Sequence, residues 1–559
     1  MSASGSSHFG DDIVMVDSIH YNGSEPQTPS AGSFHSSSFS SEDQKKQVIS
    51  DDKPAIVKDE QSVPSPAPLK LYSPTSSDKE LPPREIKTIA VIGAGLVGCV
   101  AALAFQKKGY KVKVFEGRPD ARTPEQREIF SYRSINMAVS ARGILTLDSI
   151  DQDMSDRVLQ NLIPMHGRMI HDLAGDEISQ KYGLYGEAIN SIDRADLNRS
   201  LLDELDSSNI ETYFNHKLVH ASFEPKTKLT FTVDSEKPND SKETAVFNDI
   251  DLVIGADGAH SKVRAQLGKY VRLNFSQEYI DSAYVELRIE PNKPKEDDDP
   301  VTFYNGDQKF KLDKNHLHIW PRHEYMLIAL PNTDGSFTST LFAPWSLLES
   351  LDSEEKWFDF FWTNFPDIFE KSLMTKESLI KAYHENPRGS LVCVRCSPYN
   401  YKDKAIILGD AAHSMVPFYG QGMNCGFEDV RVLMSLLDKH HFSFKKAFDE
   451  YSATRNKDLN AIVDLAMRNY IEMRHSVISM SYLLRKKLDN FLSKTFGNHW
   501  LPLYTMVTFR PDISYSEALR RETLQAKIVH NIVYYSTGIL ALTGVVTAIR
   551  IIRKLKIFS

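Results

Sequence analysis

The protein is a chain of 559 residues, too long for one compact core, which points to two or three domains with tails. Its formal net charge is −8 and no long basic run occurs outside the last ten residues, which disfavours a nucleic-acid interface. The four cysteines, Cys99, Cys393, Cys396 and Cys425, suit a reducing compartment and are too few for a disulfide framework.

Residues 1–84 are rich in Ser, Pro, Asp and Gly and lack apolar periodicity, so a disordered extension is expected there. The first arginine is Arg84, and Asp11, Asp12 and Asp17 come early, which argues against a mitochondrial transit peptide. Thr28, Ser65 and Ser73 each precede a proline and offer candidate phosphorylation sites.

Order is expected from about Ile86, with "IKTIAVIGAGLVGCVAALAFQKKGYKVKVFEG". Lys87 to Ile92 reads as a buried strand, followed by G-x-G-x-x-G at Gly93, Gly95 and Gly98 and then a helix. Gly93 permits a tight turn, Gly95 lets the backbone approach a pyrophosphate, and Gly98 lets helix and strand pack closely. The free N–H groups and positive dipole end of the helix then face the anion. Lys111 to Phe115 reads as the second strand and ends in Glu116, 23 residues after Gly93, where an acid accepts hydrogen bonds from ribose hydroxyls. That acid fits FAD or NAD and disfavours the 2′-phosphate of NADPH. The fingerprint occurs once, so a second dinucleotide-binding domain of this kind is not expected.

Strand–helix alternation continues to about Leu205, and short strands fill 210–256. Two of the later strands end in aspartate turns: "DIDLVIGADGAHSKVR" (Asp249 to Arg264) in Gly-Ala-Asp-Gly and "KAIILGDAAHSMVP" in Gly-Asp. Strand-like runs such as "YVELRIE", "HLHIWPR" and "YMLIALPN" between 270 and 395 predict a separate sheet. Cys393 and Cys396 form a C-x-x-C, but "SLVCVRCSP" reads as a strand and no second ligand pair accompanies it, so two packing cysteines are expected and no metal site.

After Leu433 the pattern is helical to about Lys527. Between Lys527 and Arg550 lie 22 residues with no Lys, Arg, Asp or Glu. At ~1.5 Å per residue they reach ~30 Å, the thickness of one bilayer core, and basic residues flank both ends. A membrane-spanning helix over 527–550 is therefore expected, with a basic tail at 551–559. Ser536, Thr537, Thr543, Thr547, His530 and Asn531 make the run only moderately apolar, so a buried or amphipathic C-terminal helix is the alternative.

The Gly-rich fingerprint with the Asp257 and Asp410 turns resembles the three motifs of the class A flavin-dependent aromatic hydroxylases. "RSINMAVSARG" (Arg133 to Gly143), "IPMHGRMIH", "LHIWPR", "VPFYGQGMNCGFED", "NYIEMR" and "PLYTMVTF" are similar to motifs of the kynurenine 3-monooxygenase family within that class, and they span about 85 to 525. The resemblance implies an α/β Rossmann-type FAD-binding domain (85–275 and 390–440) with a second, mixed-sheet substrate domain (276–389). A C-terminal helical region (441–526) and the C-terminal transmembrane helix would follow.

The resemblance further implies NADPH- and dioxygen-dependent hydroxylation of L-kynurenine to 3-hydroxy-L-kynurenine through a C4a-hydroperoxyflavin, in tryptophan degradation and NAD synthesis. Non-covalent FAD would be held by Gly93, Gly95, Gly98, Glu116, Arg133, Arg194, Asp257, Asp410, Gly422, Met423 and Asn424. Arg168 and Tyr182 would bind the substrate carboxylate. Asn469, Glu472, Met473, Tyr504, Pro417, Phe418 and Gln421 would complete the pocket. No catalytic acid or base is implied, and His413 beside Asp410 reads as structural. Tyr132 stands where a glycine usually precedes the Arg-Ser-Ile-Asn motif, while Ala141 and Cys425 are small departures. The anchored relatives imply the mitochondrial outer membrane with the catalytic part facing the cytosol, or alternatively the endoplasmic reticulum. Rival readings are another aromatic hydroxylase or epoxidase of this fold, and a flavin-free binding protein like the GDP-dissociation inhibitors.

Overall fold

The first strand, Thr88–Ile92, is almost wholly buried, as its aliphatic run requires, and it pairs in parallel with Lys111–Phe115 on one side and Leu252–Gly255 on the other. The structure is a computed structural model that describes residues 88–131, 136–233, 243–296, 298–475 and 480–557. The 1–84 extension and the stretch holding Tyr132 and Arg133 lie outside the described residues.

The sheet has six strands in the order Asn400–Tyr401, Ala405–Ile407, Leu252–Gly255, Thr88–Ile92, Lys111–Phe115, Glu211–Tyr213. Ala405–Ile407, Leu252–Gly255 and Thr88–Ile92 are parallel neighbours, so the three motif turns leave the same edge side by side. The carboxyl ends of such strands are where doubly wound sheets bind nucleotides. The helix Leu96–Lys107 packs its Cys99, Val100, Leu103 and Phe105 into the core beneath.

The second sheet has seven strands in the order Gly389–Ser397, Asn274–Ile289, Phe337–Ala343, Tyr325–Pro331, His316–Arg322, Gly167–His171, Glu177–Lys181. It is mixed, since Gly167–His171 runs parallel to His316–Arg322 while the other pairs are antiparallel. Its strands come from both sides of the 276–389 segment. Cys393 and Cys396 are buried in the strand Gly389–Ser397, where the Cys396 thiol donates to the Ala412 carbonyl at 3.2 Å.

Long helices finish the chain: Gly422–Lys439, Phe444–His475, Met480–Phe496 and Tyr515–Ile557. The expected transmembrane helix over 527–550 is corrected here. Among the described residues no helix is long and apolar enough to cross a membrane. The segment is the middle of a 43-residue helix that begins in the core at buried Tyr515. Its apolar run is broken by His530, Asn531 and hydroxyl side chains, of which Thr537 donates to the Val533 carbonyl at 2.9 Å and Thr547 to the Thr543 carbonyl at 2.7 Å.

A chain of buried charges joins these parts. His413 and Asp429 are 2.5 Å apart, and Arg455 donates to Asp429 at 3.0 Å and to Glu428 at 2.8 Å. Glu428 in turn accepts from Arg142 at 2.6 Å. Arg142 is fully buried, donates to the carbonyl of Val507 at 2.7 Å, and lies 4.1 Å from the ring centre of Tyr515. Burial pushes the Glu428 carboxyl up, but Arg142, Arg455 and Arg431 outweigh it and hold the group at about 2, below its ordinary 4.5. A carboxyl depressed on folding contributes stability above its unfolded value and loses it as pH falls through the folded one. Thermal stability is expected to decline as pH drops from about 4.5 towards 2. Arg142→Met is expected to cost about 3–5 kcal/mol, read as a lowered melting midpoint at neutral pH.

Candidate active site

At the nucleotide end the glycine-rich turn has the shape its sequence predicts. Gly93 has φ +100°, and a Cβ there would lie 2.5 Å from the Ala256 carbonyl oxygen, so only glycine fits here against the Gly-Ala-Asp-Gly loop. A Cβ on Gly98 would lie 1.9 Å from the Gly93 oxygen. A Cβ on Gly95 would meet nothing within 4 Å, because this face opens into a cavity of about 200 Å³. Glu116, Arg118, Arg194 and Asn198 line that cavity.

The Glu116 carboxylate accepts from the Ala94 N–H at 2.9 Å and from the Arg118 side chain at 2.8 Å. Burial raises its pKa, but the bonds from Arg118 and from the backbone outweigh it and leave the group below its ordinary range, hence ionised. An acid beside a glycine turn and an open face fits the ribose and pyrophosphate of a dinucleotide.

The other predicted cofactor residues divide into two kinds. Asp257 accepts from the Ser261 hydroxyl at 2.5 Å and from the N–H groups of Lys262 and Val263 at 2.7 and 3.0 Å. It therefore shapes its own turn. Asn424 is likewise occupied: it accepts from the Ser140 N–H at 2.8 Å and donates to the carbonyls of Ala138 and Gly420 at 2.7 and 2.8 Å. A Cβ on Gly143 would lie 2.6 Å from its Oδ1, which accounts for the glycine closing the "RSINMAVSARG" motif.

Asp410 is different, because its side chain is exposed although protein atoms crowd around it. That crowding raises its pKa, and Arg194 and His413 offset part of the rise. Gly422, Met423 and Asn424 form the first turn of the helix Gly422–Lys439. Helix geometry leaves their N–H groups without intrahelical partners, a setting that favours negative charge.

A second cavity, of about 490 Å³, lies beside the seven-stranded sheet. It gathers Arg168, Tyr182, Asn469, Glu472 and Tyr504 among the predicted substrate residues. Arg168 is buried, and its one ion pair among the described residues is a long one to Glu472, at 3.4 Å. Its guanidinium lies 5.1 Å from the ring centre of Tyr504 and 5.7 Å from that of Tyr182. The buried Tyr182 hydroxyl has no hydrogen-bond partner among the described residues. Burial pushes the Tyr182 and Tyr419 phenols well above their ordinary values, so both are neutral. The rings of Tyr182 and Tyr504 stack at 4.9 Å, and those of Tyr419 and Tyr504 at 5.7 Å.

Pro417, Phe418, Gln421 and Met473 are not among the cavity's lining residues. Phe418 stacks on Tyr470 at 4.2 Å, and its carbonyl accepts from Asn469 at 2.6 Å. Gln421 accepts from the Tyr515 hydroxyl at 3.1 Å, Met473 sulfur accepts from Asn469 at 3.3 Å, and Pro417 begins the 3-10 turn Pro417–Tyr419.

Sequence reasoning missed Tyr419, Tyr482 and Lys486. The last two lie with Asp489 and Ser493 on one face of the helix Met480–Phe496. A polar stripe at i, i+4, i+7, i+11 was the available signal.

Residues 85–466 match the family model described as "FAD binding domain". The solved tetrameric form of 2-methyl-3-hydroxypyridine-5-carboxylic acid oxygenase superposes with a TM-score of 0.54 at 17% identity, covering 78% of this chain and 98% of that one. The chain is thus an FAD-binding enzyme with the aromatic-hydroxylase fold, and the Gly95 face and Glu116 suit that cofactor. Kynurenine 3-monooxygenase from Yarrowia lipolytica is 52% identical over 80% of this chain and 94% of its own. The enzyme of that name from Candida albicans is 52% identical over 82% and 96%. The protein belongs to the kynurenine 3-monooxygenase family.

Replacing Gly98 by alanine is expected to give protein that purifies without yellow colour, because the new methyl collides with the Gly93 carbonyl and spoils the turn. Absorbance near the flavin bands, ratioed to protein, measures this.

Proposed function

We propose that the protein hydroxylates L-kynurenine on the ring carbon ortho to the aniline nitrogen, using NADPH and dioxygen. The observation that carries the reading is the pairing of buried Arg168, whose ion pair to Glu472 is long, with a buried Tyr182 hydroxyl that has no hydrogen-bond partner among the described residues, in one aromatic-walled cavity. A guanidinium fork and a phenol donor match a carboxylate, and a charge-assisted hydrogen bond is about twice as strong as a neutral one. The family relatives supply the name of the substrate.

FAD, when bound, supplies the redox chemistry, accepting electrons from NADPH and activating dioxygen. The chain's own residues bind, orient and exclude water. Arg168 and Tyr182 fix the carboxylate end. Tyr419 and Tyr504 present ring faces to the substrate body. The 3-10 turn Pro417–Tyr419, clamped by Asn469 and Tyr470, sets where those faces stand. The amino group of the substrate already makes the ortho carbon nucleophilic, so no side chain has to act as a strong base. Rate comes from position and from a dry site.

Arg168→Ala is expected to retain bound flavin but to lose stimulation of NADPH oxidation by L-kynurenine, with 3-hydroxykynurenine followed by mass spectrometry. Full stimulation in that variant overturns the carboxylate assignment. Stimulation of the parent enzyme only by another aromatic acid moves the substrate.

A further inference from the structure

We propose that Lys486 is a second cation of the substrate pocket, which in its protonated form holds the substrate carboxylate together with Arg168. The inference rests on the proposed function above and deepens it. Lys486 lies on the helix Met480–Phe496, far from Arg168 in sequence, and lines the same cavity. Its Nζ donates to Gln180 Oε1 at 3.4 Å. Gln180 is the direct cross-strand partner of Arg168 in the antiparallel pair Gly167–His171 with Glu177–Lys181. Directly opposed residues project on the same face of a sheet with Cβ atoms roughly 5 Å apart. The ammonium is therefore brought to the guanidinium's side of the pocket and held there by a bond too long to satisfy it.

Two like charges converging on one cavity repel unless an anion arrives. The charged groups around Lys486 supply only part of one. On the helix Phe444–His475, Glu472 faces it but also accepts from Tyr482 at 2.9 Å and from Arg168. On its own helix, Asp489 is engaged by Arg485 at 2.7 Å, and Glu522 of the last helix lies 3.5 Å from the same arginine. Lys181 and Arg468 add further positive charge to the lining, and the Glu187 carboxylate accepts from the Tyr185 N–H at 2.7 Å. Burial and Arg168 push the Lys486 ammonium down to about 8, against a smaller opposing pull from Glu472. A carboxylate placed between Lys486 and Arg168 reverses that shift, so substrate binding above this pH takes up a proton.

The sign follows. Below about pH 8 Lys486 is charged in the empty pocket and the carboxylate is met by two cations. Above it the lysine is neutral, and the apparent affinity falls with the protonated fraction. Between pH 7 and 9 that fraction drops about tenfold, which sets the ceiling on the rise in KM.

The test is the pH profile of KM for L-kynurenine in the flavin-loaded enzyme, in the parent and in Lys486→Gln and Lys486→Arg. The parent is expected to show KM rising above pH 8. Lys486→Gln is expected to have a higher KM at pH 7 and no such rise, and Lys486→Arg to keep the low KM past pH 9. Titration of the substrate's own ammonium is common to all three and cancels in the ratio. Flavin content and melting temperature identify a variant that has not folded, and Lys486→Arg then carries the test alone. Parallel profiles in parent and variants overturn the proposal. If Arg168→Ala also leaves KM unmoved, the carboxylate reading fails with it; if Arg168→Ala raises KM, only the role of Lys486 falls.

Discussion

Asp429, Arg455, Glu428 and Arg142 form a run of alternating charge, with His413 hydrogen-bonded to its Asp429 end, that the rest of the site hangs on. Each link is buried, so each ion has given up its water and is tolerable only because the next is in place. One end is fixed at the Gly409 turn, where Asp429 also accepts from the Gly409 N–H at 3.1 Å, at the glycine preceding Asp410. The other end is Arg142, whose guanidinium caps carbonyls of the 506–513 segment, immediately after pocket residue Tyr504. The run therefore sets the distance between the turn assigned to the cofactor and the wall assigned to the substrate. Reaction rates depend on such placement to a fraction of an ångström, and a rigid ionic strut fits that need better than an apolar seam, which can slide.

How much of this could be read from the chain follows physical lines. The nucleotide half was legible because most of its signals are local: Gly98 lies against the Gly93 carbonyl five residues back, and Glu116 reaches the Ala94 N–H within the same unit, although Gly93 itself is pressed against Ala256 of a later strand turn. The adjacency of the three motif turns follows from ordinary parallel-sheet topology. Arg168, Tyr182 and Tyr504 were named by family resemblance alone, since three residues that far apart carry no common pattern. Tyr482 and Lys486 escaped because they reach the cavity only once the helix Met480–Phe496 is laid against the strand Glu177–Lys181, and Tyr419 because its partner in the wall, Tyr504, is far away in sequence.

Some assigned roles shift when partners are counted. Asp257 and Asn424 were expected at the cofactor, yet their side-chain groups are engaged by the protein itself. They build the walls that other groups, mainly backbone N–H, present to a ligand. The reading of 527–550 as a separate apolar element went astray because a window of uncharged residues says nothing about where a helix begins. The helix starts twelve residues earlier, at Tyr515, inside the charge run's own packing.

The parallel pairing of Gly167–His171 with His316–Arg322 has a consequence for how this protein can have been assembled. The substrate sheet is not a module inserted whole between two halves of a nucleotide-binding scaffold. Arg168 arrives on a strand from outside that segment, and cutting out residues 276–389 would leave it behind and bare the hydrogen-bonding edge of Gly167–His171. Exposed edges of that kind invite aggregation. Recombination between family members at the apparent domain borders would thus set Arg168 beside a foreign sheet, and the two halves must be inherited together.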